Sequence, residues 1–342
     1  MLRKFIDYIK EFIKEEYKFI LAVLFIFIIL NIPLNYYITV GGGISPASDR
    51  ISVSNKNNSK GSFNISYVTQ LDGNVLTYCL SYIFPKWERE DANLYKYDLE
   101  ESLEDIAFRN KLDLNSANGN ATYWAYTLAN KKVTEKEKKL YIIATFPKEY
   151  KTNLKVQDEI LSMDGKKYDS VKEYSQYLQT KNIGDNIEVK VLRNKKEKII
   201  KTKLYDNNGT KIIGVNLQYL RKYETEPRVK INFKKSESGP SGGLITTLEI
   251  YNQLIKKDIT KGKVIAGTGT IEEDGTVGEI GGIEHKILGA AHAKADIFLS
   301  PGGKNYTDAK KYIKEKKLKI KLIKVKSITD AIKKLEELWE LE

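Results

Sequence analysis

The stretch that decides the fold runs from Ser236 to Pro301 and reads SESGPSGGLITTLEIYNQLIKKDITKGKVIAGTGTIEEDGTVGEIGGIEHKILGAAHAKADIFLSP. Its first part is a turn rich in glycine, and apolar residues at helical spacing follow from Leu244 to Ile255. The apolar run KVIAGTGTI predicts a strand, and EHKILGAAHAKA, which follows two glycines, predicts a second helix. The stretch therefore predicts a helix, a strand and a helix in succession.

Ser241 follows Pro240 in the turn and stands at the predicted start of the first helix. Backbone N–H groups are unpaired at such a position, and the helix dipole favours negative charge there. A serine in this place is commonly an N-cap, whose hydroxyl accepts a hydrogen bond from the backbone. The same surroundings also suit a nucleophile, because free N–H groups stabilise an oxyanion. The residues alone leave both interpretations open.

Lys286 lies in the first turn of the second predicted helix, after Gly281 and Gly282. A lysine side chain titrates at about 10.4 and is a poor base at neutral pH. Apolar neighbours such as Ile283 and Ile287, together with the positive end of the helix, would both lower its pKa. A solvated surface lysine is the plainer interpretation, because the chain has 57 basic residues.

The stretch resembles the proteolytic domain of Lon-type serine proteases in two motifs. The family's G-P-S-A-G segment matches GPSGG at 239–243, and its I-G-G-x-x-x-K segment matches IGGIEHK at 280–286. The resemblance implies that Ser241 is the nucleophile and Lys286 the general base of a Ser–Lys dyad. Thr268 matches a family threonine beside the dyad, which would orient the lysine. The supporting positions that the resemblance implies are Gly239, Pro240, Gly242 and Thr268.

The unit at 140–205 combines strands, a helix near 170–179 and a hairpin. It resembles a PDZ domain in the circular order found in bacterial proteases, in the motifs LKVQDEI, MDGKKYDS and GDNIEVKVLR. The first motif departs from the family's L-x-x-G-D-x-I pattern, because Gln157 stands where glycine is usual. The resemblance implies that an extended peptide pairs with an exposed strand edge. A generic hairpin with a helix is the alternative interpretation, since each motif is short.

An uncharged stretch runs from Phe19 to Val40, and its first part, as far as Leu30, is wholly apolar. As a helix it would span about 33 Å, which matches a hydrocarbon core of about 30 Å. It therefore predicts a transmembrane helix over 19–40, rather than a buried helix of a soluble domain or a cleaved signal peptide. More basic residues precede it than follow it, so we expect 1–18 in the cytoplasm and the catalytic domain outside, in a single-pass protein of a bacterial cell membrane.

The predicted layout continues with a linker rich in Gly, Ser and Asn at 41–61. Residues 62–139 would supply the first elements of the protease domain, with helical spacing over 99–129 that breaks near 115–120, and 206–342 would supply the rest. The predicted fold class is α+β, with an N-terminal transmembrane helix, a PDZ-like β-rich unit and a Lon-type proteolytic α/β domain. This arrangement resembles the membrane-anchored, ATP-independent PDZ proteases of bacteria, and the sequence has no G-x-x-x-x-G-K-S/T phosphate loop.

Composition excludes several other classes. The chain of 342 residues has one cysteine, Cys79, and two histidines, too few for a disulfide framework, a Cys-rich zinc module or a His-dominated metal site. We expect no cofactor and no metal. The formal net charge of +12 raises nucleic-acid binding as an alternative, but no aromatic–basic motif supports it. A solvated turn, rather than a cation site, is indicated for the crowded carboxylates Glu272, Glu273, Asp274 and Glu279.

The leading functional hypothesis is a serine endopeptidase that cleaves membrane or exported proteins, with the PDZ-like unit recruiting peptide segments. The alternative is a tethered PDZ scaffold that binds peptides and carries an inactive protease domain. The expected partners are protein or peptide substrates and the membrane, with no nucleic acid. Whether the chain forms a homo-oligomer is left open by the sequence.

Overall fold

The computed structural model describes residues 2–54, 56–98, 101–146 and 148–340. Three positions used in the predictions lie outside the described residues. They are residues 1 and 342, which limit the predicted segments, and residue 99, where a helix is predicted to start. The chain divides into two units, Met1–Gly41 with Val68–Tyr95, and Gly42–Tyr67 with Lys96–Glu342.

Helices and strands are interspersed along the described chain. The helices are α1 (Leu2–Leu30), α2 (Val75–Ile83), α3 (Leu103–Leu128), α4 (Val171–Gln179), α5 (Gly243–Leu254), α6 (Ile283–His292), α7 (Gly303–Lys316) and α8 (Ile328–Glu340). The strands are β1 (Pro33–Pro46), β2 (Ile51–Val53), β3 (Ser62–Asn74), β4 (Glu88–Asp91), β5 (Lys132–Thr145), β6 (Glu159–Met163), β7 (Asn186–Arg193), β8 (Lys196–Lys203), β9 (Tyr205–Asn207), β10 (Thr210–Ile212), β11 (Val215–Glu226), β12 (Val229–Ile231), β13 (Val264–Gly267), β14 (Ile297–Pro301) and β15 (Lys321–Val325).

The predicted transmembrane helix over 19–40 is wrong. Helix α1 ends at Leu30, and Pro33 begins strand β1, which pairs with β4. A proline disfavours helical geometry in the residue before it and has no N–H for a helical hydrogen bond. The apolar part of α1, which starts at Phe19, therefore spans only about 18 Å. In the part of the chain that the structure describes, no helix is long and apolar enough to cross a membrane.

The predicted linker at 41–61 instead contains the end of β1 and strand β2. The side chains of Ile51 and Val53 are buried, and β2 pairs antiparallel with β12. The apolar side chains alternate with exposed serines, so the segment has the period-two pattern of a strand with one buried face. Asn55 lies outside the described residues.

A parallel sheet in the larger unit has the strand order β15-β14-β13-β3. Its central strands are continuous apolar runs, as expected where helices cover both faces of a parallel sheet. The main apolar core joins side chains from before and after the PDZ-like unit. Examples are Phe63, Tyr126, Leu248 and Leu299, all of which are fully buried. Segments that are distant in the sequence therefore share one core.

The PDZ-like unit contains an antiparallel sheet of order β11-β5-β6-β7-β8 and helix α4, around a core of its own. Gln157 adopts φ 74°, a left-handed conformation that favours glycine, which accounts for the family's preference at this position. The next residue, Asp158, is 1% exposed and accepts two hydrogen bonds of 2.6 Å from the guanidinium of Arg193. This bidentate pair links the start of β6 to the end of β7.

Helix α3 continues without a break through 115–120, where the sequence predicted an interruption. The small residues there allow the helix to approach β11 closely, because a Cβ on Gly119 would lie 2.5 Å from the carbonyl oxygen of Arg221. The hydroxyl of Ser116 donates a hydrogen bond of 2.9 Å to the carbonyl of Tyr219. These contacts fix α3 against the edge strand of the PDZ-like sheet.

Replacing Gly119 with alanine is expected to destabilise the protein by about 1–3 kcal/mol, because the added methyl group overpacks the contact with β11. The same change inside an ordinary helix stabilises it by about 1 kcal/mol. The measurement is the free energy of unfolding in urea. Gly281→Ala is the control, since a Cβ at Gly281 would have no atom within 4 Å. A stabilised Gly119→Ala protein would contradict the close packing.

Candidate active site

Ser241 lies in the turn that leads into α5 and is not the helix cap. Gly242 is the N-cap residue, and no side chain caps the helix, so the N-cap interpretation of Ser241 is wrong. The carbonyl of Ser241 accepts hydrogen bonds from the backbone N–H of Gly269, at 2.8 Å, and from the hydroxyl of Thr268, at 3.1 Å. The Ser241 backbone is thus fixed, and its hydroxyl is directed at a different partner.

That partner is Lys286, which is 3% exposed. Its Nζ lies 2.9 Å from Ser241 Oγ and 3.1 Å from Thr268 Oγ1. Helix α6 begins after Gly282, whose φ of 67° turns the chain into the helix. The first turn of α6 therefore places the amine of Lys286 next to the start of α5.

Burial lowers the pKa of Lys286 to about 8. The cause is the loss of water around the ammonium group, which is stable only when it is solvated or paired with an anion. The buried side chains of Ile283 and Ile287 on the same helix contribute to these apolar surroundings. Burial is thus the cause that accounts for the lowered pKa of Lys286.

Thr268 follows β13 directly and is fully buried. Its hydroxyl donates its proton to the Ser241 carbonyl, so its oxygen is available as an acceptor for Lys286 Nζ. A neutral amine has two protons and one lone pair. When one proton is directed at Thr268, the lone pair can face the hydroxyl proton of Ser241.

The backbone N–H groups of Ser241 and Gly242 have no hydrogen-bond acceptor within the described residues. They lie at the start of α5, where the N–H groups of a helix are unpaired and the dipole is positive. Such donors suit an oxygen that becomes negatively charged during a reaction. Gly239, the first residue of the turn, has φ 81° and donates its N–H to the carbonyl of Asn110 on α3.

The remaining sequence candidates are not brought into this arrangement. His292 is exposed at the end of α6. The carboxylates of Glu272 and Asp274 lie in the turn after β13, where each accepts a hydrogen bond from a threonine hydroxyl. Within the described ranges, no group of three or more His, Cys, Asp or Glu residues could hold a metal ion.

Sequence reasoning missed the contribution of α3. The side-chain amide of Asn120 donates a hydrogen bond of 2.9 Å to the carbonyl of Ile271, in the segment that follows Thr268. Asp113, which lies two helical turns before Asn120 on the same face of α3, lines a cleft next to Pro240. The run of small polar residues at 115–120 was the available signal, but the same residue types also favour turns.

Comparison with known families identifies two domains. The chain matches the family described as PDZ domain over residues 132–204, and the family described as Lon protease C-terminal proteolytic domain over residues 232–337. The chain carries a PDZ domain and a Lon-type proteolytic domain. These two predictions are confirmed, and the second supports a serine peptidase. The matches give no support to a membrane anchor.

Solved structures of PDZ domains are among those similar to this chain. One is the PDZ domain of the SdrC-like protein from Listeria monocytogenes, with 25% sequence identity and a TM-score of 0.21, which covers 23% of this chain and 85% of that chain. Another is the PDZ domain of the SdrC-like protein from Listeria innocua, with 25% identity and a TM-score of 0.21, which covers 23% and 92%. No curated protein matches the chain.

Thr268→Val is expected to lower peptidase activity by about tenfold or more, because it removes one hydrogen bond that holds the lysine amine. Valine has nearly the same shape, so the fold should persist. The measurement is kcat/KM on an unfolded protein substrate. Thr268→Ser keeps the hydroxyl and should retain most activity. Equal activity of the valine and serine variants would show that the hydroxyl has no part in the reaction.

Proposed function

We propose that this chain is an ATP-independent serine endopeptidase in which Ser241 is the nucleophile and Lys286 the general base. The observation that carries the proposal is the 2.9 Å distance between Lys286 Nζ and Ser241 Oγ. A nucleophile and a base within hydrogen-bond distance are the basic requirement for acyl transfer. The lowered pKa of the lysine supplies the second requirement, a base that is partly neutral near physiological pH.

The first half of the reaction forms an acyl-enzyme. Lys286 takes the hydroxyl proton of Ser241, and Oγ attacks the carbonyl carbon of the peptide bond. The carbonyl oxygen becomes an oxyanion, which the N–H groups at the start of α5 can stabilise. The tetrahedral intermediate collapses when the Lys286 ammonium gives its proton to the leaving amine.

The second half releases the product. Water enters next to the ester that Ser241 has formed, and the neutral Lys286 amine takes a proton from it. The resulting tetrahedral species breaks its bond to Oγ, and the proton returns to the serine. Throughout, Thr268 keeps Nζ in place and fixes the Ser241 backbone, so it acts as a positioning residue.

The PDZ domain is proposed to recruit extended segments of protein substrates. The described PDZ-like sheet has β11 at one edge and β8 at the other. Helix α3 covers β11 at Tyr219 and Arg221, so the edge of β8 is where an extended peptide would add as a further strand. The cellular location stays a prediction from the sequence, and the proposal does not depend on it.

A peptide-binding scaffold with an inactive protease domain is the second candidate. The PDZ domain alone is compatible with it. The buried lysine argues against it, because burying an amine costs free energy and nothing in peptide binding by the PDZ domain requires it. Catalysis would use that buried amine directly.

Ser241→Ala and Lys286→Arg are each expected to lower peptide hydrolysis by about 10⁴-fold or more. Alanine removes the nucleophile, and arginine stays charged and cannot accept a proton. The assay is cleavage of an unfolded protein by the purified full chain. Ser238→Ala and Lys310→Arg are matched controls on exposed positions and should cleave normally. Equal cleavage by all variants would exclude the dyad, and no cleavage by the unmodified chain would favour the scaffold.

Peptidase activity is expected to increase with pH through an apparent pKa of about 8. Lys286 must be neutral to accept the serine proton, so activity should fall about tenfold for each pH unit well below this pKa and level off above it. The measurement is kcat/KM against pH. A profile that is flat between about pH 6 and about pH 9 would contradict lysine as the base.

A further inference from the structure

A cleft of about 540 Å³ lies beside the proposed nucleophile. Its walls come from α3, from the N-terminus of α4, from β11, and from Pro240 and the segment 270–273. Pro240 directly precedes Ser241, so this end of the cleft adjoins the residue that carries the reactive hydroxyl. The cleft is therefore where residues next to the bond to be cut would lie.

Two carboxylates face this cleft from different elements. Asp113 comes from α3, and Glu272 comes from the turn after β13. The two elements are tied together by the hydrogen bond between Asn120 and the Ile271 carbonyl. Thr270 Oγ1 donates to Glu272 Oε1 at 2.5 Å and holds this side chain. Asp113 is half-buried, and Glu272, although its side chain is exposed to water, is held by this hydrogen bond.

The like charges of this pair act on each other. Burial is the largest cause and raises the pKa of Asp113; a hydrogen bond from Gln218 and the charge of Arg109 lower it, and the nearby Glu272 carboxylate raises it by the smallest contribution. A positive group between the two would relieve this repulsion. The pair thus makes the cleft attractive to a cation, although the formal charge of the whole chain is +12.

Other charged groups also lie near the cleft. Glu273 also lines the cleft, and its Oε1 lies 3.4 Å from Nε of Arg221, which also pairs with Glu135. Lys172 is the cationic residue among those that line the cleft, and its side chain is exposed to water. Arg109, which acts on Asp113 through space, forms an ion pair with Glu101.

We propose that Asp113 and Glu272 are specificity-determining residues, which select polypeptide segments with a lysine or arginine close to the bond that is cut. This inference rests on the proposed function, because it treats the cleft as the place of the substrate. It assigns the substrate class as unfolded or extended segments with basic side chains. A positive side chain would lie between the two carboxylates, while its backbone passes Ser241.

The test separates binding from cleavage. The full chain with Ser241→Ala binds peptide without cutting it. This variant is titrated with C-terminally amidated peptides that carry Lys, Gln or Glu at one position and are otherwise identical. Lys peptides are expected to bind about tenfold more tightly than Glu peptides, as one well-placed charge pair allows. The preference should weaken as salt increases from about 0.05 M to about 0.5 M.

Asp113→Asn and Glu272→Gln, together in the Ser241→Ala protein, are expected to reduce the Lys-to-Glu preference to about twofold. Both changes keep shape and an acceptor oxygen, so the bonds from Gln218 and Thr270 can persist. Glu337→Gln, which removes an exposed carboxylate on α8, is the matched control and should keep the full preference.

Equal binding of the Lys and Glu peptides, or a preference unchanged by the double substitution, would overturn the inference. Failure of the proposed function would give a different result. The Ser241→Ala variant would still bind the Lys peptide more tightly than the Glu peptide, but the unmodified chain would cleave neither. In cleavage assays of the unmodified chain, the same peptides should rank in the same order by kcat/KM.

Discussion

The burial of a single amine, that of Lys286, is the constraint on which the rest of the structure depends. An ammonium group in an apolar pocket is unfavourable, and the pocket is assembled from three separate elements. Helix α6 delivers the lysine, the end of β13 delivers Thr268, and the start of α5 delivers Ser241. The parallel alignment of β13 with β14 and β3 keeps these elements in register. A shift of one strand would therefore move the hydroxyl away from the base.

The site was predictable from the sequence because its chemistry depends on short, local motifs. GPSGG at 239–243 and IGGIEHK at 280–286 each bring a backbone turn and a reactive residue together, and the structure joins the two side chains at 2.9 Å. The role of Thr268 beside them was suggested by resemblance, and its hydrogen bonds now supply a physical basis. Their catalytic roles stay predictions.

The parts that sequence reasoning missed depend on distant partners. Apolar composition over 19–40 suggested one helix, but the segment from Pro33 onward pairs with β4, a partner that no local pattern reveals. The small polar residues at 115–120 suggested a break, whereas packing against β11 keeps α3 continuous. The cleft near Pro240 arises only when α3, β11 and the turn after β13 meet. Tertiary contacts overrode local preference in each case.

The pairing of β5 with β11 has a consequence for how such a chain can change over time. Lys132 pairs with Glu226, and the two strands stay paired as far as Thr145 and Val215. The segments by which the chain enters and leaves the PDZ domain are thus neighbouring strands of one antiparallel pair. A module attached in this way can be shortened, lengthened or exchanged without moving the ends that the proteolytic core holds. Recruitment and chemistry can then evolve at different rates within one polypeptide.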